Sequence, residues 1–116
     1  MAGSGDPADL AALRAREIRV RARARNIAAA QNHGLAVANS PDRMDALRTV
    51  KVPTLVIHGT DDPILPVEHG KATAKCIPGA TELLIGGMGH EIPVRVEGEV
   101  LRAIISHTSA SHTSAA

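Results

Sequence analysis

The sequence predicts an α/β fold, with two parallel strands and flanking helices behind an N-terminal amphipathic helix. Three observations lead there. Residues 52–58, VPTLVIH, form a continuous apolar and β-branched run, as expected of a parallel strand covered on both faces. A second short run, TELLI at 81–85, follows after a helical pattern, and strands separated by a helix pair in parallel. The first fifty residues instead carry helical periodicity bordered by arginines.

Taken in order, Asp6 can cap a first helix, Pro7 suits its first position and Asp9 favours its positive end. On a helical wheel Leu10, Leu13, Val20, Ala24 and Ile27 share one arc. Arg16, Arg19 and Arg23 flank that arc on one side, and Arg14, Arg21 and Arg25 on the other. Gly34 and the NSPD turn are expected to end this helical stretch, and a short helix over 42–50 leads into the first strand. Pro66 and Val67 begin a helix to about Ile77, with Val67, Gly70, Ala74 and Ile77 on one face, and PGA stops it. After the second strand GGMGHEIP reads as a loop. A last helix runs from Val96 to about His107, with Val96, Val100 and Ile104 in register. The chain then repeats SHTSA at 106–110 and 111–115, small polar residues expected to form a disordered tail over 106–116. The expected organisation is a helical, Arg-rich segment over 1–50, a strand–helix–strand–helix unit over 51–105, and that tail.

Composition narrows the classes. The chain has 116 residues, 44% of them apolar, and no Phe, Tyr or Trp. Its core must therefore come from Val, Ile, Leu and Ala, in a chain near the small end of stable sizes. Residues 1–50 carry a net charge of +3 and residues 51–116 a net charge of −2. Cys76 is the single cysteine, which excludes an intrachain disulfide and fits a reducing compartment. No secretory signal pattern opens the chain, and no apolar run reaches the roughly 18 residues a membrane helix needs. The expectation is a soluble, cytoplasmic protein without membrane association.

In open parallel sheets, functional side chains gather beyond the carboxyl ends of the strands. Asp61 and Asp62 follow the first strand, and His90 follows the second. Both loops open on one edge, and adjacent strands would bring an acid to the histidine. A carboxylate beside a histidine fixes its tautomer and stabilises the imidazolium it forms as a base. The glycines around His90 permit a close backbone approach.

With PTLVIHGTDDPILPVEHG and GMGHEIP in view, residues 44–93 resemble the C-terminal part of an α/β-hydrolase. Within that superfamily they resemble small methylesterases and haloperoxidase-like hydrolases. The resemblance implies a partial α/β-hydrolase fold and carboxylic ester hydrolysis. It implies Asp62 as the acid and His90 as the base of a Ser-His-Asp triad, in the family's order. The family's nucleophile lies upstream in a G-x-S-x-G elbow between strand and helix. None of Ser4, Ser40, Ser106, Ser109, Ser111 and Ser114 has those surroundings, and Cys76 does not either. The earlier strands and the oxyanion-hole loop have no counterpart here. The chain is therefore expected to be inactive alone and to act on a small-molecule ester only when completed by an N-terminal half.

Other readings of single residues are blander. Asp61 shapes the turn, His58 is a packing or turn residue, and His69 is solvated. His33, His107 and His112 show no metal-ligand spacing with a cysteine, so no metal site and no cofactor are assigned. The six arginines between 14 and 25 could meet an anionic surface, but Arg stems commonly border an apolar stripe. Nucleic acid is disfavoured, because no aromatic side chain can stack on a base. The rival class is a non-catalytic interaction module, oligomerising or binding a partner through an exposed sheet edge.

Overall fold

A computed structural model describes residues 7–26 and 29–113. The elements run α1 (Pro7–Arg23), α2 (Ala29–Ala38), α3 (Met44–Leu47), β1 (Leu55–Gly59), α4 (Val67–Cys76), β2 (Thr81–Ile85) and α5 (Val94–Thr113). β1 and β2 pair in parallel, from Leu55 opposite Thr81 to Gly59 opposite Ile85. Bonds from the Thr81 amide to the Thr54 carbonyl and from the Thr60 amide to the Ile85 carbonyl, both 3.0 Å, extend this ladder at its two ends.

The two strands lie between helices, and the period of two decides which side chain meets which. Ile57, Leu83 and Ile85 face α5, where they pack with Met88, Val96 and Val100. On the opposite face His58 lies against Gly70 of α4. A Cβ at Gly70 would come within 2.7 Å of the His58 ring, so glycine there is what lets helix and strand approach. α1 is amphipathic as expected, and Leu10, Leu13 and Val20 border an open groove shared with α5. Arg21 pairs with Glu17 at 2.9 Å on its exposed side, a contact worth little to stability.

Three expectations need correction. The first helix ends at Arg23, and Gly34 lies inside α2 rather than ending an element. An interior glycine costs a helix only about 1 kcal/mol, and nothing within 4 Å of Gly34 constrains it further. The chain is also not disordered from residue 106, because α5 continues to Thr113. The Thr108 hydroxyl donates to the carbonyls of Ile104 and Ile105 at 2.9 and 3.1 Å, so a polar residue is accommodated without interrupting a helix already propagating. Asp6 and Ile27 lie outside the described residues.

The fold buries little. Among the described residues the buried apolar side chains are Ile77, Ile85, Met88, Val96 and Val100. The surface is 8654 Å², against roughly 6,000 Å² for a compact monomer of this mass. The radius of gyration is 16.5 Å, where a compact domain of similar length has roughly 13 Å. β1 carries Leu55, Val56 and Ile57 only half-buried, and β2 is its one partner among the described residues.

The tightest contact in the fold yields a test. A Cβ at Gly59 would collide with the Met88 carbonyl and lie 2.6 Å from the Gly89 carbonyl, both backbone atoms. Gly59→Ala is expected to cost about 2–3 kcal/mol in urea unfolding followed by circular dichroism. Gly34→Ala, where space is open, is expected to cost nothing and to add helical signal.

Candidate active site

Asp62 lies in the turn that β1 feeds into, and its own carboxylate organises that turn. Oδ1 accepts the amides of Ile64 at 2.8 Å and Leu65 at 2.9 Å, the local capping for which aspartate is selected in turns. Oδ2 faces His90 Nδ1 at 2.7 Å. The Asp62 side chain is only 5% exposed, whereas that of His90 is 42% exposed. One group is enclosed and the other is presented.

These contacts set the charge of the pair. Burial by itself disfavours ionised Asp62, but the Leu65 amide, His90 and the Ile64 amide outweigh it and bring the pKa from 3.8 down to about 2. Asp62 is thus an acceptor-only carboxylate at neutral pH, and Nδ1 of His90 carries the proton it donates. The lone pair of a neutral His90 then resides on Nε2, the arrangement a general base requires.

The loop holding His90 is fixed by backbone and by one buried side chain. Gly87 has φ +69°, in the left-handed region that favours glycine. The Met88 side chain is 5% exposed and belongs to the core with Ile85, Val96 and Val100, so the loop is anchored from below. The Met88 carbonyl accepts the Asp61 amide at 3.0 Å. The Thr60 hydroxyl accepts the Gly87 amide at 3.0 Å and donates to Asp61 at 2.8 Å. The acid loop and the histidine loop are therefore stitched together independently of the Asp62–His90 bond.

The structure brings together Asp62 and His90, but the turn-shaping role expected of Asp61 is seen in Asp62, whose Oδ1 takes the Ile64 and Leu65 amides, while the Asp61 carboxylate accepts the Thr60 hydroxyl. Thr60, Met88 and Gly59 were not foreseen as parts of the site. Their partners lie about 27 residues away, and nothing in the local pattern shows them. Among the described residues no group of three or more His, Cys, Asp or Glu side chains could hold a metal ion, and no helix is long and apolar enough to cross a membrane. Ser40 lies at the end of α2, where its hydroxyl bonds the Ala36 carbonyl at 2.9 Å. Ser106 and Ser109 lie exposed on α5, while Ser4 and Ser114 fall outside the described residues.

His90 lines an open groove of about 1090 Å³ between α1 and α5, walled by Leu10, Leu13, Val20, Leu101 and Ile104, with Arg14 and Arg16 on the α1 side. The exposed His90 ring and these apolar side chains share one opening, which Glu17, Glu91 and Glu97 also line.

Comparison with known proteins places the chain among hydrolases of the α/β class. The family model described as TAP-like protein matches residues 22–105. Rhodomycin D methylesterase DnrP of Streptomyces peucetius is 32% identical over 109 residues, covering 94% of this chain and 37% of the methylesterase. A non-heme haloperoxidase of Rhodococcus erythropolis is 40% identical over 47 residues, covering 40% of this chain and 17% of that protein. Among solved structures, a thermophilic esterase from Thermogutta terrifontis superposes with a TM-score of 0.60 at 35% identity, covering 67% of this chain and 29% of the esterase. The chain thus spans little more than a third of the methylesterase it matches.

The lowered Asp62 pKa has a signed consequence. A folded-state pKa below the unfolded value gives stabilisation that is fully present above pH 3.8 and is lost as the pH falls through about 2. The difference in unfolding free energy between the intact chain and Asp62→Asn should therefore shrink as the pH falls from 4 to 2. Urea titrations at stepped pH measure it, and the subtraction removes the titration of other carboxylates.

Proposed function

The chain belongs to the TAP-like family of α/β-hydrolases, and we propose that it carries the acid–base half of a carboxylic ester hydrolase. The observation that carries this reading is the bond between His90 Nδ1 and an enclosed, ionised Asp62, which leaves Nε2 to take a proton. In the reaction, a serine hydroxyl attacks the ester carbonyl while its proton passes to His90 Nε2. Asp62 holds the ring in place and stabilises the imidazolium. The proton then passes to the departing alcohol, leaving an acyl-enzyme. Water repeats the sequence in the second half, giving its proton to His90 and releasing the acid and the free serine.

On this reading the serine and the oxyanion-binding amides come from an N-terminal half of the kind the family resemblance implies, and the chain alone is inactive. The sequence has no G-x-S-x-G elbow, and loss of a triad nucleophile lowers turnover by roughly a million-fold. The groove beside His90 is where the completing segment and the ester would meet the base. The methylesterase among its relatives suggests small esters of carboxylic acids as substrates. The lone cysteine suits a cytoplasmic setting.

A second reading, a non-catalytic interaction module, is favoured by a specific feature of β1. Thr54 and Thr60 direct their ladder groups to β2, so the alternating Leu55 and Ile57 direct theirs to the opposite edge. Three consecutive apolar residues on that strand suit a central position, whereas Thr81 and Glu82 of β2 are exposed, the charged and polar protection of a true edge. This edge can receive the completing polypeptide or a second copy of the chain.

Two measurements separate the readings. Joined to the serine-bearing portion of a TAP-like relative, the chain is expected to hydrolyse a short-chain p-nitrophenyl ester. His90→Ala should then lower turnover by roughly a million-fold and Asp62→Asn by roughly ten-thousand-fold. A folded, joined protein without hydrolysis would refute the catalytic reading. For the chain alone, light scattering should report a dimer or larger species, and a cooperatively folded monomer would count against the interaction reading.

A further inference from the structure

The acid's position depends on a turn of the chain, and something must hold that turn closed. We propose that His58 is a positioning residue for the Asp62–His90 pair. Its ring closes the acid loop from inside by donating a hydrogen bond from Nε2 to the Leu65 carbonyl. This rests on the reading of Asp62 and His90 as the acid–base pair, and it assigns a role to a second histidine that a bland reading leaves as packing.

His58 Nε2 lies 2.8 Å from the Leu65 carbonyl oxygen, and the Leu65 amide donates to Asp62 Oδ1 at 2.9 Å. One residue thus receives the histidine on its carbonyl and delivers its amide to the acid. The His58 ring is 12% exposed, and Nε2 stands 3.9 Å from Asp62 Oδ2, too far for a hydrogen bond. The carboxylate therefore does not compete for the Nε2 proton, and Oδ2 is left to His90 at 2.7 Å. A carbonyl acceptor requires the proton on Nε2.

The surroundings restrict that ring. The edge bearing Cγ and Nδ1 lies against Gly70, where a Cβ would come within 2.7 Å of both atoms. Removing that one side chain from α4 creates the slot into which the imidazole fits. A leucine or phenylalanine at 58 could fill the slot and keep α4 against β1. It could not bond the Leu65 carbonyl, and the amides of Ile64 and Leu65 would lose their fixed aim at Asp62.

The test separates a donor from a space-filler. In the intact chain, nitrogen chemical shifts should show His58 protonated on Nε2 at neutral pH; protonation on Nδ1 instead would overturn the proposal without any variant. In His58→Leu, the carboxyl titration of Asp62, followed by carbon NMR, should move upward from about 2 by roughly one pH unit as its amide donors loosen. The low-field Nδ1 proton of His90 should weaken with it. His58→Gln, whose amide can donate across a similar reach, should return both signals toward those of the intact chain. A folded His58→Leu with an unchanged Asp62 titration would refute the role. These readings need neither nucleophile nor ester, so their failure leaves the hydrolase reading standing, and absence of hydrolysis leaves them unaffected.

Discussion

The site depends on how closely the loop after β2 can lie on the end of β1. At Gly59 the backbone of Met88 and Gly89 occupies the space that any side chain would need. That approach places the Met88 carbonyl on the Asp61 amide and the Gly87 amide on the Thr60 hydroxyl. With the two loops joined this way, Asp62 and His90 meet at 2.7 Å as a consequence of backbone packing rather than as its cause. A hydrogen bond whose partners are already positioned loses little conformational freedom on forming, so more of its strength appears as orientation of the imidazole.

How much of this was legible in the sequence follows from the range of each interaction. The parallel pair, the helix between its strands and the placement of the Asp61–Asp62 turn and His90 at one edge came from local patterns (an apolar run, a helical period, turn acids, a glycine-flanked histidine), while the choice of Asp62 over Asp61 rested on the family resemblance. The features that escaped are those in which distant residues meet. Met88 looks like part of a glycine-rich loop, yet its side chain anchors that loop in the core. Gly70 looks like one apolar-face position on a helix, yet its missing side chain admits the His58 ring. Thr60 looks like an ordinary turn residue, yet it clasps Gly87. The SHTSA repeat misled in the other direction. Its composition favours disorder, but a helix that is already nucleated extends through it for eight residues.

The rest of the molecule contrasts with this well-organised edge. Asp62 is enclosed, ionised and doubly capped by its own turn, while Leu101, Ile105, Val52 and Ile18 are more than half exposed. Electrostatic preorganisation of an acid–base pair needs only the two loops and the strands beneath them, and all of these are local to residues 55–90. A serine elbow and an oxyanion hole need further strands and a helix N-terminus, which are contributions of a larger sheet. The catalytic machinery of this fold thus divides along a physical seam. One part is set by short-range turns and one strand pair; the other requires a sheet wide enough to pair both edges of β1.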